Sequence, residues 1–327
     1  MTNVDVVIPT FNARELVLHC LQRLDDPMIE QIVVVDDAST DGTPQALASS
    51  FPKAQVVVLD HHRGLAHALN RGAEMGTAEF VLFLNNDVFP LDDAISRLGA
   101  ALRNDPLAAS AAGRLVDPGT VRTQDSYQPR ALPGLVGLAA RITGIERGWP
   151  RNPWTGQHLR NPLATSTSAP TDRQPAGSCL LVRRSALEKV HGWDEGYWFW
   201  YEDVDLSRRL YEIGYVLYVP TAIFEHVGHA STNSWARHEQ HKRLYHGALR
   251  YAEQHLPRWQ QAIFGILMAI VTIPRIVWLR WKSQPAALSA YRHLRDEGLA
   301  LALGRELIAA PGDPGSHDNQ PLREVVT

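Results

Sequence analysis

Acidic and carboxamide side chains collect at the ends of apolar runs in this chain, where a packed core has no use for them. Phe80-Val81-Leu82-Phe83-Leu84 stops on Asn85-Asn86-Asp87, and Ile32-Val33-Val34-Val35 stops on Asp36-Asp37. Acid groups delivered to one sheet edge suit an anionic ligand held through a divalent cation, with a polar head group beside it. Asp87 can give that ion a charged oxygen, and Mg2+ or Mn2+ keeps positions open for phosphate oxygens. Asp36-Asp37, with Asp41-Gly42 and the Pro9-Thr10-Phe11-Asn12 turn, can accept hydrogen bonds from the imide and ribose of a pyrimidine nucleoside. Taken alone, each cluster is also what a polar turn or a helix cap requires.

A third cluster is Glu202-Asp203 with Asp205, placed where a helix begins and where its dipole favours negative charge. One of these acids can serve as general base toward a sugar hydroxyl, because partial burial raises a carboxylate's proton affinity. Trp193, Tyr197, Trp198, Phe199, Trp200 and Tyr201 surround it. Aromatic faces bind the apolar faces of sugars, and the same residues serve equally well as core. His226, followed by His229, Ser231 and Thr232, can offer a neutral imidazole to a metal. His238, Glu239 and His241 lack the zinc-protease spacing and read as solvated helix residues. His61-His62 carry no signal.

The elements that position these groups alternate. Strands are predicted at Val4–Ile8, Ile32–Val35, Val56–Leu59 and Phe80–Leu84, and helices at Ala13–Leu24 and Gly64–Met75. The latter helix brings His67, Asn70 and Arg71 together. The unbroken apolar run at Phe80–Leu84 predicts a strand buried on both faces. The alternation predicts an α/β fold with a mostly parallel sheet flanked by helices. From Asp117 to Arg173 the periodicity fails, which predicts a functional loop or mobile segment. Order returns at Gly177–Val182 and a helix at Arg184–Val190. A helix from Asp203 through Ile213 and short strands at Tyr215–Val219 and Ala222–Phe224 follow.

Bulk composition narrows the function. The chain has 327 residues, 45% of them apolar, which is enough for a sizeable core. A net charge of -3 gives no sign of a nucleic-acid partner. Two cysteines, Cys20 and Cys179, fit a reducing compartment and exclude a disulfide framework. The chain enters its first strand with no signal-like segment, so a cytoplasmic catalytic part is expected. The first strand-to-helix turn lacks Gly-x-Gly-x-x-Gly, which disfavours dinucleotide binding, and no Walker-type lysine loop is present.

In order and spacing, several pieces resemble glycosyltransferase family 2, the inverting nucleotide-sugar enzymes of GT-A fold. They are Val6-Val7-Ile8-Pro9-Thr10-Phe11-Asn12, Val35-Asp36-Asp37-Ala38-Ser39-Thr40-Asp41-Gly42-Thr43, Asn70-Arg71-Gly72, Phe83-Leu84-Asn85-Asn86-Asp87, Gly177-Ser178-Cys179-Leu180-Leu181, Gly192-Trp193-Asp194-Glu195, Tyr201-Glu202-Asp203-Val204-Asp205-Leu206 and His226. The Asn-Asn-Asp version with Tyr-Glu-Asp-Val-Asp-Leu is similar to the rhamnosyltransferase-like branch. The resemblance implies a GT-A-type, Rossmann-like, mostly parallel sheet over residues 1–232, with 117–173 an acceptor-side insertion. Residues 233–310 would form a C-terminal helical region and 311–327 a disordered tail.

The resemblance also implies roles. Asp37 would hold the nucleoside base, with Asp36 alongside and Pro9, Thr10, Asn12 and Asn70 on the donor side. Asp87 would bind a Mg2+ or Mn2+ ion bridging the donor diphosphate, with His226 completing the metal shell and Asn86 on the donor sugar or ribose. Asp203 would be the catalytic base, with Glu202 its close rival. Gly177 would let backbone approach a sugar, and Trp198, Trp200 and Tyr201 would meet the acceptor. Asn85 stands where the common Asp-x-Asp motif has its first acid, which weakens the metal site. A dTDP-linked β-L-rhamnose donor would yield an α-L-rhamnoside on a glycan or polyprenyl-linked glycan in cell-surface polysaccharide synthesis. The rival readings are a UDP-hexose donor and a catalytically silent nucleotide-sugar or glycan-binding module.

The C-terminal region poses a separate question. Ala262–Leu279 approaches the ~20 apolar residues of a membrane span, but Pro274-Arg275 interrupt it. Basic residues from Lys242 to Lys282 flank it, which fits a helix lying on an anionic cytoplasmic leaflet. A core helix or a homodimer contact fits as well. An interfacial helix would put the enzyme at the inner face of the cell membrane.

Overall fold

The computed structural model describes residues 3–149, 169–171, 173–228 and 235–307. The N-terminal half winds as strand and helix in turn: β1 (Val4–Thr10), α1 (Arg14–Gln22), β2 (Ile29–Asp36), α2 (Thr43–Ser50), β3 (Gln55–Val58), α3 (Leu65–Glu74) and β4 (Phe80–Leu84). After β4 come β5 (Val88–Pro90), α4 (Ala94–Asn104), β6 (Ala108–Val116), β7 (Arg130–Ala131), α5 (Leu135–Ile142) and α6 (Ile145–Gly148). The chain continues through β8 (Ala169–Thr171), β9 (Arg173–Gln174), β10 (Cys179–Arg183), α7 (Arg184–Lys189), α8 (Glu202–Tyr211) and β11 (Tyr215–His226). It closes with α9 (Arg237–His255), α10 (Arg258–Trp281) and α11 (Pro285–Leu303).

Eight strands run in the order β3-β2-β1-β4-β10-β6-β11-β5, with β8 added on β11. β3, β2, β1 and β4 are mutually parallel, as are β6 and β11, and β10 enters antiparallel to both its neighbours. Parallel pairing brings the carboxyl ends of β1, β2 and β4 to one edge, with Thr10 opposite Asp36. β4 is buried at every position, as its unbroken apolar run predicts. Helix α3 lies close on β1 because Gly72 has no Cβ: one there would stand 2.2 Å from Val7 Cγ1.

Three expectations change. The described part of the segment after Asp117 carries ordered elements, including α5, whose Leu138 and Ile142 enter a core shared with α8, α9, α10 and α11, while residues 150–168 and 172 lie outside the described residues. Its eight residues are too short, between Pro133-Gly134 and Gly144, to stand out as a period. Tyr215–Val219 and Ala222–Phe224 are one twelve-residue strand, with a register shift between Val219 and Ile223 where two were expected. Pro274 does not end its helix: α10 is continuous over 24 residues. Pro274 lies on the exposed side, where the carbonyl it leaves unbonded can be solvated. The boundary expected at 232 to 233 and the tail 311–327 lie outside the described residues.

One buried ion pair ties α7 to the sheet. Arg184 Nη2 lies 2.6 Å from Asp5 Oδ2, and its other nitrogens donate to the carbonyls of Ala78 and Ala73. Asp5 is almost wholly buried and also accepts from the Ala78 amide. Arg184→Ala strands that carboxylate, so urea denaturation is expected to show a loss of ~3–5 kcal/mol. A variant as stable as the parent would remove this pair from the account.

Candidate active site

The edge reached by β1, β2 and β4 opens into a cavity of about 510 Å³. That is the size range of small-molecule and cofactor sites. Pro9, Thr10, Asp37, Asn86 and Asp87 line it together with Gly177, Trp198, Trp200, Glu202, Asp203 and His226. The acids at the end of β4 and at the start of α8 therefore open onto a single space.

Asp87 and His226 are fixed as a pair. The Val227 amide donates to the Asp87 carbonyl at 3.0 Å, and His226 stands opposite Val88 in the β11–β5 ladder. Gln124 Nε2 donates to the His226 carbonyl and to Asp117, so its Oε1 is the acceptor facing His226 Nδ1 at 2.8 Å. Nδ1 thus carries a proton, and Nε2 lies 3.8 Å from Asp87 Oδ2. An imidazole nitrogen and a carboxylate oxygen at that separation fit two ligands of one divalent ion. Tyr127 packs edge-on against His226.

Asp203 is held from beneath. Its Oδ2 accepts from the Gly177 amide and from Gln174 Nε2, both at 3.1 Å, while Oδ1 makes no hydrogen bond among the described residues. A Cβ at Gly177 would stand 2.7 Å from Asp203 Cβ. The glycine makes room for this carboxylate and itself lines the cavity. The two residues before α8, Trp200 and Tyr201, both adopt left-handed backbone (φ 67° and 73°). Such conformations cost of order 1–3 kcal/mol each and persist only where packing imposes them. Here Tyr201 is buried against Tyr251, and Gly247 of α9 leaves room for the Trp200 carbonyl.

Glu202 differs from its neighbour. It is buried, and that burial, reinforced by the charge of Asp203, raises its pKa from 4.5 to about 8. At neutral pH it is a neutral acid. Among the described residues its Oε2 has no hydrogen-bond partner, and neither do Ser178 Oγ, Trp193 Nε1 and Trp198 Nε1, buried atoms of residues that line the cavity. Asp205 points elsewhere, bonded to Arg209 and His255.

Four residues expected at the site do other work. Asp36 is fully buried, off the cavity wall, and accepts from the Ser39 amide. Asn12 is exposed and ties its turn to the next one through Ser39 and Thr40. Asn70 clamps the aromatic loop, bonding both the amide and carbonyl of Trp193 and the Glu195 carboxylate. Tyr201 is core. Asp37 does face the cavity, but it accepts from His62 Nδ1 and the amides of Arg63 and Gly64, so most of its acceptor capacity shapes that loop.

Sequence reasoning missed several wall residues. His62 stacks on Phe11 with ring centroids 3.9 Å apart and meets Trp198 edge-on. Arg130, Arg141 and Trp235 also line the cavity. Arg243 lies 3.3 Å from the Trp198 ring centroid and backs it from α9. These residues come from remote segments with no local motif. Only the pairing of basic with aromatic side chains could have marked them.

Comparison with known proteins agrees with this geometry. The profile of glycosyl transferase family 2 matches residues 5–191, and that of glycosyl transferase family group 2 matches 161–301. The N-acetylglucosaminyl-diphospho-decaprenol L-rhamnosyltransferase of Mycobacterium tuberculosis (strain ATCC 25618 / H37Rv) is 31% identical over 293 residues, covering 84% of this chain and 89% of the relative. The dolichol-phosphate mannosyltransferase of Pyrococcus furiosus is 30% identical over 145 residues, 42% of this chain and 40% of its own. The solved structure of GalNAc-T7 with UDP, GalNAc and Mn2+ superposes with a TM-score of 0.52 at 17% identity, over 78% of this chain and 52% of that one. The chain belongs to glycosyl transferase family 2, has the GT-A-like α/β architecture and is rhamnosyltransferase-like.

Glu202 makes a pH prediction. Between pH about 4.5 and about 8 the folded chain retains a proton that the unfolded chain releases. Stability therefore falls as pH rises through that window, by on the order of a few kcal/mol. Glu202→Gln should flatten the fall, leaving the variant more stable than the parent at pH 8 in parallel thermal melts. Identical pH profiles would mean that Glu202 ionises normally.

Proposed function

We propose that the protein is an inverting, metal-assisted glycosyltransferase that moves a sugar from a nucleotide donor onto a hydroxyl of a lipid-linked glycan, with L-rhamnose from its dTDP-linked form as the sugar. The carrying observation is that Asp203, whose Oδ1 makes no hydrogen bond among the described residues, lines the same cavity as Asp87 and His226. The similarity to the mycobacterial rhamnosyltransferase supports the sugar and the acceptor class. Asp87 and His226 would hold Mg2+ or Mn2+, which when bound offsets charge on the departing diphosphate. Phe11 and the stacked His62 offer a flat face to the nucleobase, with Asp37, Pro9 and Thr10 around it. Asn86, its amide nitrogen donating to Thr10 Oγ1, turns toward the donor sugar or ribose.

Asp203 takes the proton from the acceptor hydroxyl as its oxygen bonds to the anomeric carbon. The bond from that carbon to the diphosphate oxygen breaks on the opposite face, and the nucleoside diphosphate leaves. Glu202, which burial pushes toward its neutral form, is placed to offer a donor O–H, and Asp203 is therefore assigned as the base. Such a base typically contributes ~10²–10⁴-fold, and positioning with electrostatic stabilisation supplies the rest. Trp198 and Trp200 form the acceptor wall.

The C-terminal helices bear on the acceptor. On α10, Trp259, Ile263, Ile266, Ile270, Ile273, Val277 and Trp281 are exposed at steps of three or four, one stripe along the helix. The opposite face, including Phe264, Met268 and Thr272, is buried. By length and composition α10 could cross a bilayer. Its packed face favours lying on one instead. Tryptophans at both ends and exposed Arg258, Arg280 and Lys282 suit an anionic leaflet, which is where a polyprenyl-linked acceptor resides. The enzyme would then work at the cytoplasmic face of the membrane.

Turnover with purified protein tests the transferase reading. With dTDP-L-rhamnose and Mn2+, nucleoside diphosphate release should depend on acceptor and should fall at least ~10²-fold in Asp203→Asn, while donor binding persists. Near-normal turnover in that variant would reject the base assignment, and turnover with UDP-hexoses alone would reject the donor. Sedimentation with vesicles tests the membrane reading. Binding should require anionic lipid, weaken with salt and vanish in Ile266→Glu/Ile270→Glu. A salt-insensitive dimer with no vesicle binding would assign the stripe to a second copy.

A further inference from the structure

Behind the aromatic wall, α9 and α11 bring three metal-ligating side chains together. His246 comes from α9; His293 and Glu297, four residues apart, share one face of α11. His246 Nδ1 lies 2.6 Å and His293 Nε2 3.5 Å from Glu297 Oε1. One ligand atom from each residue lies within 4.8 Å of the other two.

Glu297 is fully buried, and among the described residues its Oε2 has no hydrogen-bond partner; His293 Nε2 has none either. A carboxylate withdrawn from water and only half satisfied is costly unless a cation compensates it. Beside His246 and His293 lies a small cavity of about 20 Å³, closed by Trp198, Trp200 and Arg243. That is room for one water.

We propose that His246, His293 and Glu297 form a second metal site that binds a borderline divalent transition ion of the zinc type, with a water from the small cavity as fourth ligand. Two imidazoles and one carboxylate match a His₂Glu tetrahedral set, whereas Mg2+ prefers an all-oxygen shell. Bonds of ~2.0–2.2 Å require the His246–Glu297 contact to open by less than ~1 Å. The ion joins α9 to α11 directly behind Trp198 and Trp200. It is independent of the Asp87–His226 pair and of the donor's identity. The two cysteines offer no competing thiolate, since both are buried in the sheet core.

The test uses full-length protein stripped with chelator, titrated with Zn2+ and desalted before elemental analysis. The parent and Asp87→Asn should each retain one zinc per chain, and His293→Gln should retain none. Zinc should raise the melting temperature of the parent and of Asp87→Asn but leave His293→Gln unmoved. Co2+ in place of zinc should give the visible absorption of a four-coordinate site, absent in His293→Gln. Zinc retained equally by His293→Gln, or no zinc-dependent change in the parent, would overturn the proposal and leave a metal-free His246–Glu297 hydrogen bond.

Discussion

The structure turns on the two hydrogen bonds that hold one oxygen of Asp203 at the cavity wall and leave the other without a hydrogen bond among the described residues. The Gly177 amide, just before β10, and Gln174 of β9 both donate to the held oxygen. Each demands something of the fold. Gly177 must lack a side chain, and the turn before α8 must pass through two left-handed aromatic residues. That turn survives because α9 packs against it, with Gly247 cleared for the Trp200 carbonyl. Arg250 reaches from the same helix to Asp194, anchoring the other end of the aromatic loop. The C-terminal helices are therefore part of what shapes the site.

Two adjacent acids acquire different chemistry from this arrangement. Asp203 is met by an amide and a carboxamide, both donating to one oxygen. Glu202 is buried with an oxygen unpaired, and its environment favours the neutral form. The distinction lies in side-chain direction: both acids stand in the first turn of α8, from which successive side chains leave on different sides.

Much of the fold was legible in the sequence because it rests on local pattern. The unbroken run at Phe80–Leu84 and the apolar strands before it carry their own burial signal, and the carboxyl-end rule places Asp87 and Asp37 at one edge. The individual roles were less legible. Asn70 and Asp36 lie in matched motifs, yet they bond to Trp193, Glu195 and Ser39, which no local spacing reveals. His62 had no signal because its meaning depends on Phe11 and Trp198, remote in sequence. The stripe on α10 was visible as hydrophobicity, but which face is covered depends on α11.

The central claim is a single in-line displacement between Asp203 and a diphosphate held near Asp87 and His226. The anomeric configuration of the product, read by NMR from the coupling across the new glycosidic carbon, tests it most directly. The geometry predicts inversion relative to the donor, whichever nucleotide sugar turns over. Retention of configuration would contradict it, since that outcome requires a second displacement that a base on this face cannot provide.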